Sequence, residues 1–203
     1  MPKVSGIFDS FENLENIPSE NIARWLKGRL QSHFLENYLA NRVIYPQVIP
    51  VGEELSIDLA ILREALRRNP VFFNHIQKKI FIPESFLQVM PDFKKLALVF
   101  IEALRPNGLV TLILSKKSGD KILGSLITVS CTSGDTLYFG IEGRNYKVKP
   151  GSLTVLPCPS DHCHVNFKSE SSTIFGKNEL IFEVPGGDLG LIVDGRENES
   201  ERK

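Results

Sequence analysis

The sequence predicts an α+β protein: a mostly helical region over residues 1–106, a small β barrel or sandwich over 107–196, and a polar tail over 197–203. Up to Leu104 the apolar residues recur at three- and four-residue spacing, the period of one helix face. After Asn107-Gly108 they come instead as short runs rich in Val, Ile, Leu and Phe. Those runs are separated by glycine- and proline-containing turns, the pattern of several short strands in one β module.

The N-terminal arm carries Ile7, Phe8, Phe11, Leu14 and Ile17 with neither a helix cap nor an evident strand partner. Apolar residues of this size must dock somewhere, so Ile7, Phe8, Phe11 and Leu14 are expected to bind a partner; packing against the protein's own helices is the competing reading. Pro18-Ser19-Glu20 then opens a helix whose stripe is Ile22, Trp25, Leu26, Leu30, Phe34 and Leu35. The prolines between Tyr45 and Val51 interrupt it. A second helix is expected over 56–68, with Ile57, Ile61, Leu62, Ala65 and Leu66 inside and Asn69-Pro70 as its stop. The stretch 71–93 predicts a short helix and a strand around Ile80-Phe81-Ile82. Pro91-Asp92 opens a third helix to Leu104, apolar on nearly all sides and therefore the expected central helix.

Strands are expected at 109–114, 122–131, 136–141, 145–148, 152–156, 164–168, 179–184 and 190–193. Glu142-Gly143 has hairpin chemistry, because glycine accepts the positive φ of a two-residue turn. The last two strands flank a corner, Pro185, Gly186, Gly187 and Asp188, read as a structural turn. Its backbone N–H groups offer an anion nest as the alternative.

Lys plus Arg and Asp plus Glu both number 24, so no global field attracts nucleic acid or an acidic membrane. No apolar window is long enough to span a bilayer and no leader pattern opens the chain, so a cytoplasmic protein is expected. Three cysteines, an odd count, point to reduced thiols rather than a disulfide framework.

Chemistry concentrates in Cys158-Pro-Ser-Asp-His162-Cys163-His164, since thiolate and imidazole are zinc ligands. Against a metal, Cys163 and His164 are neighbours in an expected strand and would point to opposite faces. No nucleophile elbow, phosphate-loop pattern or cofactor fingerprint occurs, so neither a catalytic residue nor a cofactor is assigned. Lys116, Lys117, Lys121, Arg144, Lys147 and Lys149, interleaved with Tyr138, Phe139 and Tyr146, are the candidate nucleic-acid face.

The succession EALRPNGLVTLIL, LGSLITV, YKVKPGSLTVLPCP and VPGGDLGLIVDGR resembles the C-terminal region of the glutamate mutase accessory protein family, MutL type. The segment YPQVIPVGEELSIDLAILREALRR is similar to the stretch that joins that family's ATPase lobes. The family looks like the sugar-kinase and actin-type ATPases, with glycine-rich phosphate loops and a Gly-Gly adenosine turn. This chain lacks those loops, and reads KKIFIPESFLQVMPDFKK where the adenosine turn belongs. The resemblance therefore implies an accessory module without its own ATPase.

Together these readings predict a non-catalytic interaction or assembly module with a protein partner or a second copy of itself. The two alternatives are an enzyme using the Cys158/His162/Cys163/His164 loop and a nucleic-acid binder using the basic β face.

Overall fold

The computed structural model describes residues 17–26, 32–45, 50–68, 73–89 and 92–196. The chain divides into two compact units, Met1–Phe73 with Ile82–Arg105, and Asn74–Phe81 with Pro106–Lys203.

The first unit contains α1 (Ser19–Ala23), α2 (Ser32–Ile44), α3 (Glu53–Arg68), α4 (Ser85–Val89) and α5 (Phe93–Leu104). The single helix expected to run from Ser19 to Leu35 is interrupted: Arg24 and Trp25 lie in a turn after α1. The cause is tertiary, because the Arg24 guanidinium and the Trp25 Nε1 both donate to the Glu64 carboxylate of α3. That carboxylate is buried, and an unpaired buried charge is costly enough to override helix propensity over one turn.

The central helix is α3 rather than α5. Its Ile57, Ala60, Ile61, Leu62 and Leu66 are buried, and so are Asp58 and Glu64. Tyr38 and Arg42 of α2 donate to Asp58 at 2.7 Å each, and Arg63 donates to Glu102 of α5 at 2.6 Å. Polar side chains from α2, from the turn after α1 and from α5 thus converge on α3. At α5 the cap is as the sequence implies: Asp92 Oδ1 accepts from the N–H of Lys94 at 3.1 Å and of Lys95 at 3.3 Å. Arg105, at φ 43°, closes the helix before Pro106.

The stretch after α3 holds β1 (Phe73–Asn74) and β2 (Lys79–Pro83), followed by α4. The strands of the C-terminal half are β3 (Leu109–Ser115), β4 (Lys121–Thr128), β5 (Leu137–Ile141), β6 (Arg144–Val148), β7 (Leu153–Leu156), β8 (His162–Lys168), β9 (Glu179–Pro185) and β10 (Gly190–Asp194). They form a six-stranded sheet in the order β1-β2-β3-β4-β10-β7 and a four-stranded sheet in the order β6-β5-β8-β9. Neither sheet closes on itself, so the barrel reading is not met. Only β4 and β10 run parallel among the registered pairs, and between them the chain leaves to build the second sheet.

One apolar cluster is shared by both sheets. Ile127 and Leu191 come from the six-stranded sheet; Phe139, Val165, Phe167 and Val184 come from the four-stranded one. The alternation on β8, exposed at His162, His164, Asn166 and Lys168 and buried between them, is the period-two signature of a strand with one face inside. At the β5–β6 turn Glu142 (φ 48°) and Gly143 (φ 75°) both take positive φ, the two-residue geometry whose twist matches the strands. The strand expected to reach Cys131 ends at Thr128: the Val129 N–H still bonds Asp194 of β10, and the Ser130 N–H goes to Thr173 outside that sheet.

Candidate functional site

The Pro185-Gly186-Gly187-Asp188 corner joins strands of different sheets, since β9 is an edge of the four-stranded sheet and β10 lies inside the six-stranded one. A chain crossing between packed sheets has no room for side chains. A Cβ on Gly186 would collide with the carbonyl oxygens of Cys158 and Ser160, and one on Gly187 would lie 2.6 Å from that of Leu123. The Gly186 N–H donates to Asp161 O and the Gly187 N–H to Cys158 O, both at 3.2 Å. These two donors are spent on the protein's own carbonyls, as in a turn that closes on the chain itself. Asp188 receives the Lys121 ammonium at 2.6 Å, and the Ser125 hydroxyl donates to Pro185 O at 2.7 Å.

Cys158 and Cys163 form a disulfide, which corrects the expectation of three reduced thiols. The odd count reflects Cys131, which stays free. The disulfide also disposes of the Cys/His metal candidate. Both sulfurs lie in the buried core, whereas His162 and His164 are on the outer side of β8, as strand alternation requires. His162 Nδ1 instead approaches Glu183 Oε1 at 3.4 Å, and His164 is registered opposite the same glutamate. Among the described residues no group of three or more His, Cys, Asp or Glu is placed to hold a metal.

Beside the corner lies an open cleft of about 850 Å³, lined by Asp120, Lys121, Asp161, His162 and Asp188 among others. Its one lysine is already paired with Asp188, leaving a mixed and largely self-satisfied charge pattern.

The expected basic face is divided. Lys116 and Lys117 lie at the β3–β4 turn and Lys121 is paired, while Arg144 and Lys147 are on β6, in the other sheet. Phe139 is fully buried and Tyr146 packs on the core, so the stacking platform reduces to Tyr138.

What the four-stranded sheet presents outward is a mixed polar and apolar surface. Across its strands Lys147, Tyr138, Lys168 and Glu179 lie in one row, and Asn145, Gly140, Asn166 and Ile181 in the next. Tyr138 is 48% exposed and Ile181 73%, with Gly140 next to Tyr138 on the same face of β5. Charged residues lie among them: Lys168 meets Glu179 at 3.8 Å, and Glu183 follows along β9. Alternation within each strand was legible in the sequence, but which strands lie side by side was not, so this juxtaposition had no sequence signal. Ile7, Phe8, Phe11 and Leu14 lie outside the described residues.

Asp135 is a second feature that sequence reading missed. Its carboxylate accepts the N–H groups of Thr136 and Ser172 at 2.7 Å and of Ser171 at 3.2 Å, tying the loop after β4 to the loop after β8. The hydrogen bond from the Ser172 side chain, with these N–H groups, holds its carboxyl well below the usual carboxylate range.

Among the described residues no helix is long and apolar enough to cross a membrane. Comparison with protein-family models, with curated proteins and with solved structures finds no match.

Proposed function

We propose that this chain is a non-catalytic protein-interaction module and that the outer face of the four-stranded sheet, read as one layer of a sandwich, is its contact surface. The observation that carries this is two exposed apolar residues on one face, Tyr138 on β5 and Ile181 on β9 with β8 between them, among Lys147, Lys168, Glu179 and Glu183. Interfaces concentrate their energy in an aromatic or aliphatic anchor ringed by polar residues, and that is the composition here. The partner is a protein with a complementary apolar contact flanked by charges of both signs. The resemblance to the MutL-type accessory family supports the same role, an accessory subunit whose ATPase resides on another chain.

Placing a photo-crosslinking amino acid at residue 138 tests this reading. A single dominant adduct of defined mass, competed away by unlabelled wild-type protein, supports it. Adducts that match the abundance of bystander proteins, or no adduct above that of a label at exposed Glu142, would contradict it.

A further inference from the structure

We propose that the cleft between the loop after β4 and the turn after β6 binds a small phosphorylated anion, with Lys147 and Lys149 as its charge partners. The cleft has a volume of about 650 Å³, within the range of about 300–1,000 Å³ that small-molecule sites occupy. Its wall includes Cys131, Ser133, Asp135, Lys147, Lys149 and Arg196.

The cleft carries more positive than negative charge. Asp135, the carboxylate in the wall, stays negatively charged and accepts four backbone N–H groups, those of Thr136, Glu170, Ser171 and Ser172. Arg196 is engaged with Asp194 through Nε at 2.9 Å and Nη2 at 2.7 Å. Lys147 and Lys149 form no ion pair among the described residues. Two positions apart on an extended segment, they project to the same side. With Arg196 engaged elsewhere, their two ammonium groups outweigh the one Asp135 carboxylate of the cleft, and the Ser133 and Thr136 hydroxyls add neutral donors. Phosphate groups suit such a set, since lysine binds them as a point charge and hydroxyls donate to the remaining oxygens.

The walls are fixed in advance. The Gly151 N–H donates to Gly195 O at 2.8 Å and the Gly195 N–H to Ser152 O at 2.9 Å, closing the β6–β7 turn onto the end of β10. The Thr132 N–H donates to Ser172 Oγ at 3.0 Å, so the opposite loop is pinned as well. A cleft whose backbone walls are already held loses less free energy to ordering on binding. A nucleic-acid strand is the less suitable occupant, because Phe139 is buried and only two unpaired lysines face the cleft.

Cys131 makes the proposal measurable, because it is the free cysteine and lies in the cleft wall. Under non-reducing conditions iodoacetamide reports on this thiol alone, with inorganic tripolyphosphate as the probe. The expected result is several-fold slower alkylation at saturating tripolyphosphate, together with calorimetric binding that weakens about tenfold in Lys147→Gln or Lys149→Gln. In the double variant, whose thermal stability should equal that of wild type, protection should vanish. Absence of protection in wild type, or equal protection in the double variant, would overturn the proposal. Tighter binding of a short oligo(dT) than of tripolyphosphate, lost in the same variants, would overturn it in favour of a nucleic-acid surface.

Discussion

Cys158, just beyond β7 of the six-stranded sheet, is covalently bonded to Cys163 on β8 of the four-stranded sheet, so one disulfide links the two layers of the β unit. Both residues are buried in the cluster those layers share.

Intact-mass analysis after alkylation without reductant should therefore find one modified cysteine per chain, and three after reduction. The ring closed by the disulfide is small, with a sequence separation of 5, for which loop-closure entropy gives about 2 kcal/mol. Reduction should lower unfolding free energy by about that amount in a urea titration. Three reactive thiols in the untreated protein would contradict the assignment.

At the corner after β9 the account separates two roles of glycine. Gly186→Ala places a Cβ into backbone carbonyls that cannot move without disturbing the disulfide loop, and should cost about 3 kcal/mol or more. Gly143→Ala meets nothing within 4 Å and carries only the left-handed backbone penalty at φ 75°, about 1 kcal/mol. Equal costs in matched denaturation curves would show that close approach is not what selects Gly186.

How much of this could be read in advance follows from which signals are local. The strand runs, the Glu142-Gly143 turn and the Asp92 cap were legible because each rests on residues adjacent in sequence. The break after Ala23 was not, since it is set by Glu64, forty residues beyond Arg24. Nor was the separation of β9 and β10 into different sheets, because alternation marks a strand without naming its neighbour. The disulfide was hidden behind the unpaired Cys131, and Asp135 gave no pattern because, apart from the adjacent Thr136, its partners are Glu170, Ser171 and Ser172, a sequence separation of 36 for Ser171.

Asp135 should make stability fall in acid. A carboxyl held below its ordinary pKa contributes stability above the unfolded value, about 3.9, and that contribution is lost as pH falls below it toward the folded value. Asp135→Ala should lose about 1 kcal/mol at pH 7, the carboxylate being partly exposed and screened, with the cost shrinking from about pH 4 downward and vanishing only well below pH 3. A cost independent of pH would mean that the charge plays no part.

In the helical unit, Asp58→Ala removes the carboxylate shared by Tyr38 and Arg42 and should cost about 3–5 kcal/mol. Tyr38→Phe leaves the Asp58–Arg42 pair in place and should cost about 1 kcal/mol. The reverse order, measured by urea denaturation, would contradict the role of Asp58 as the charge that docks α2 on α3.

The central claim concerns the outer face of the four-stranded sheet, and purification from native material under crosslink-free conditions tests it most directly. The comparison is between wild type and Tyr138→Glu/Ile181→Glu, two exposed positions at which the substitution should leave the melting temperature unchanged. The account predicts that a protein recovered with the wild type at a fixed stoichiometry is lost from the variant. Recovery of the same chain at the same ratio from both proteins would contradict it.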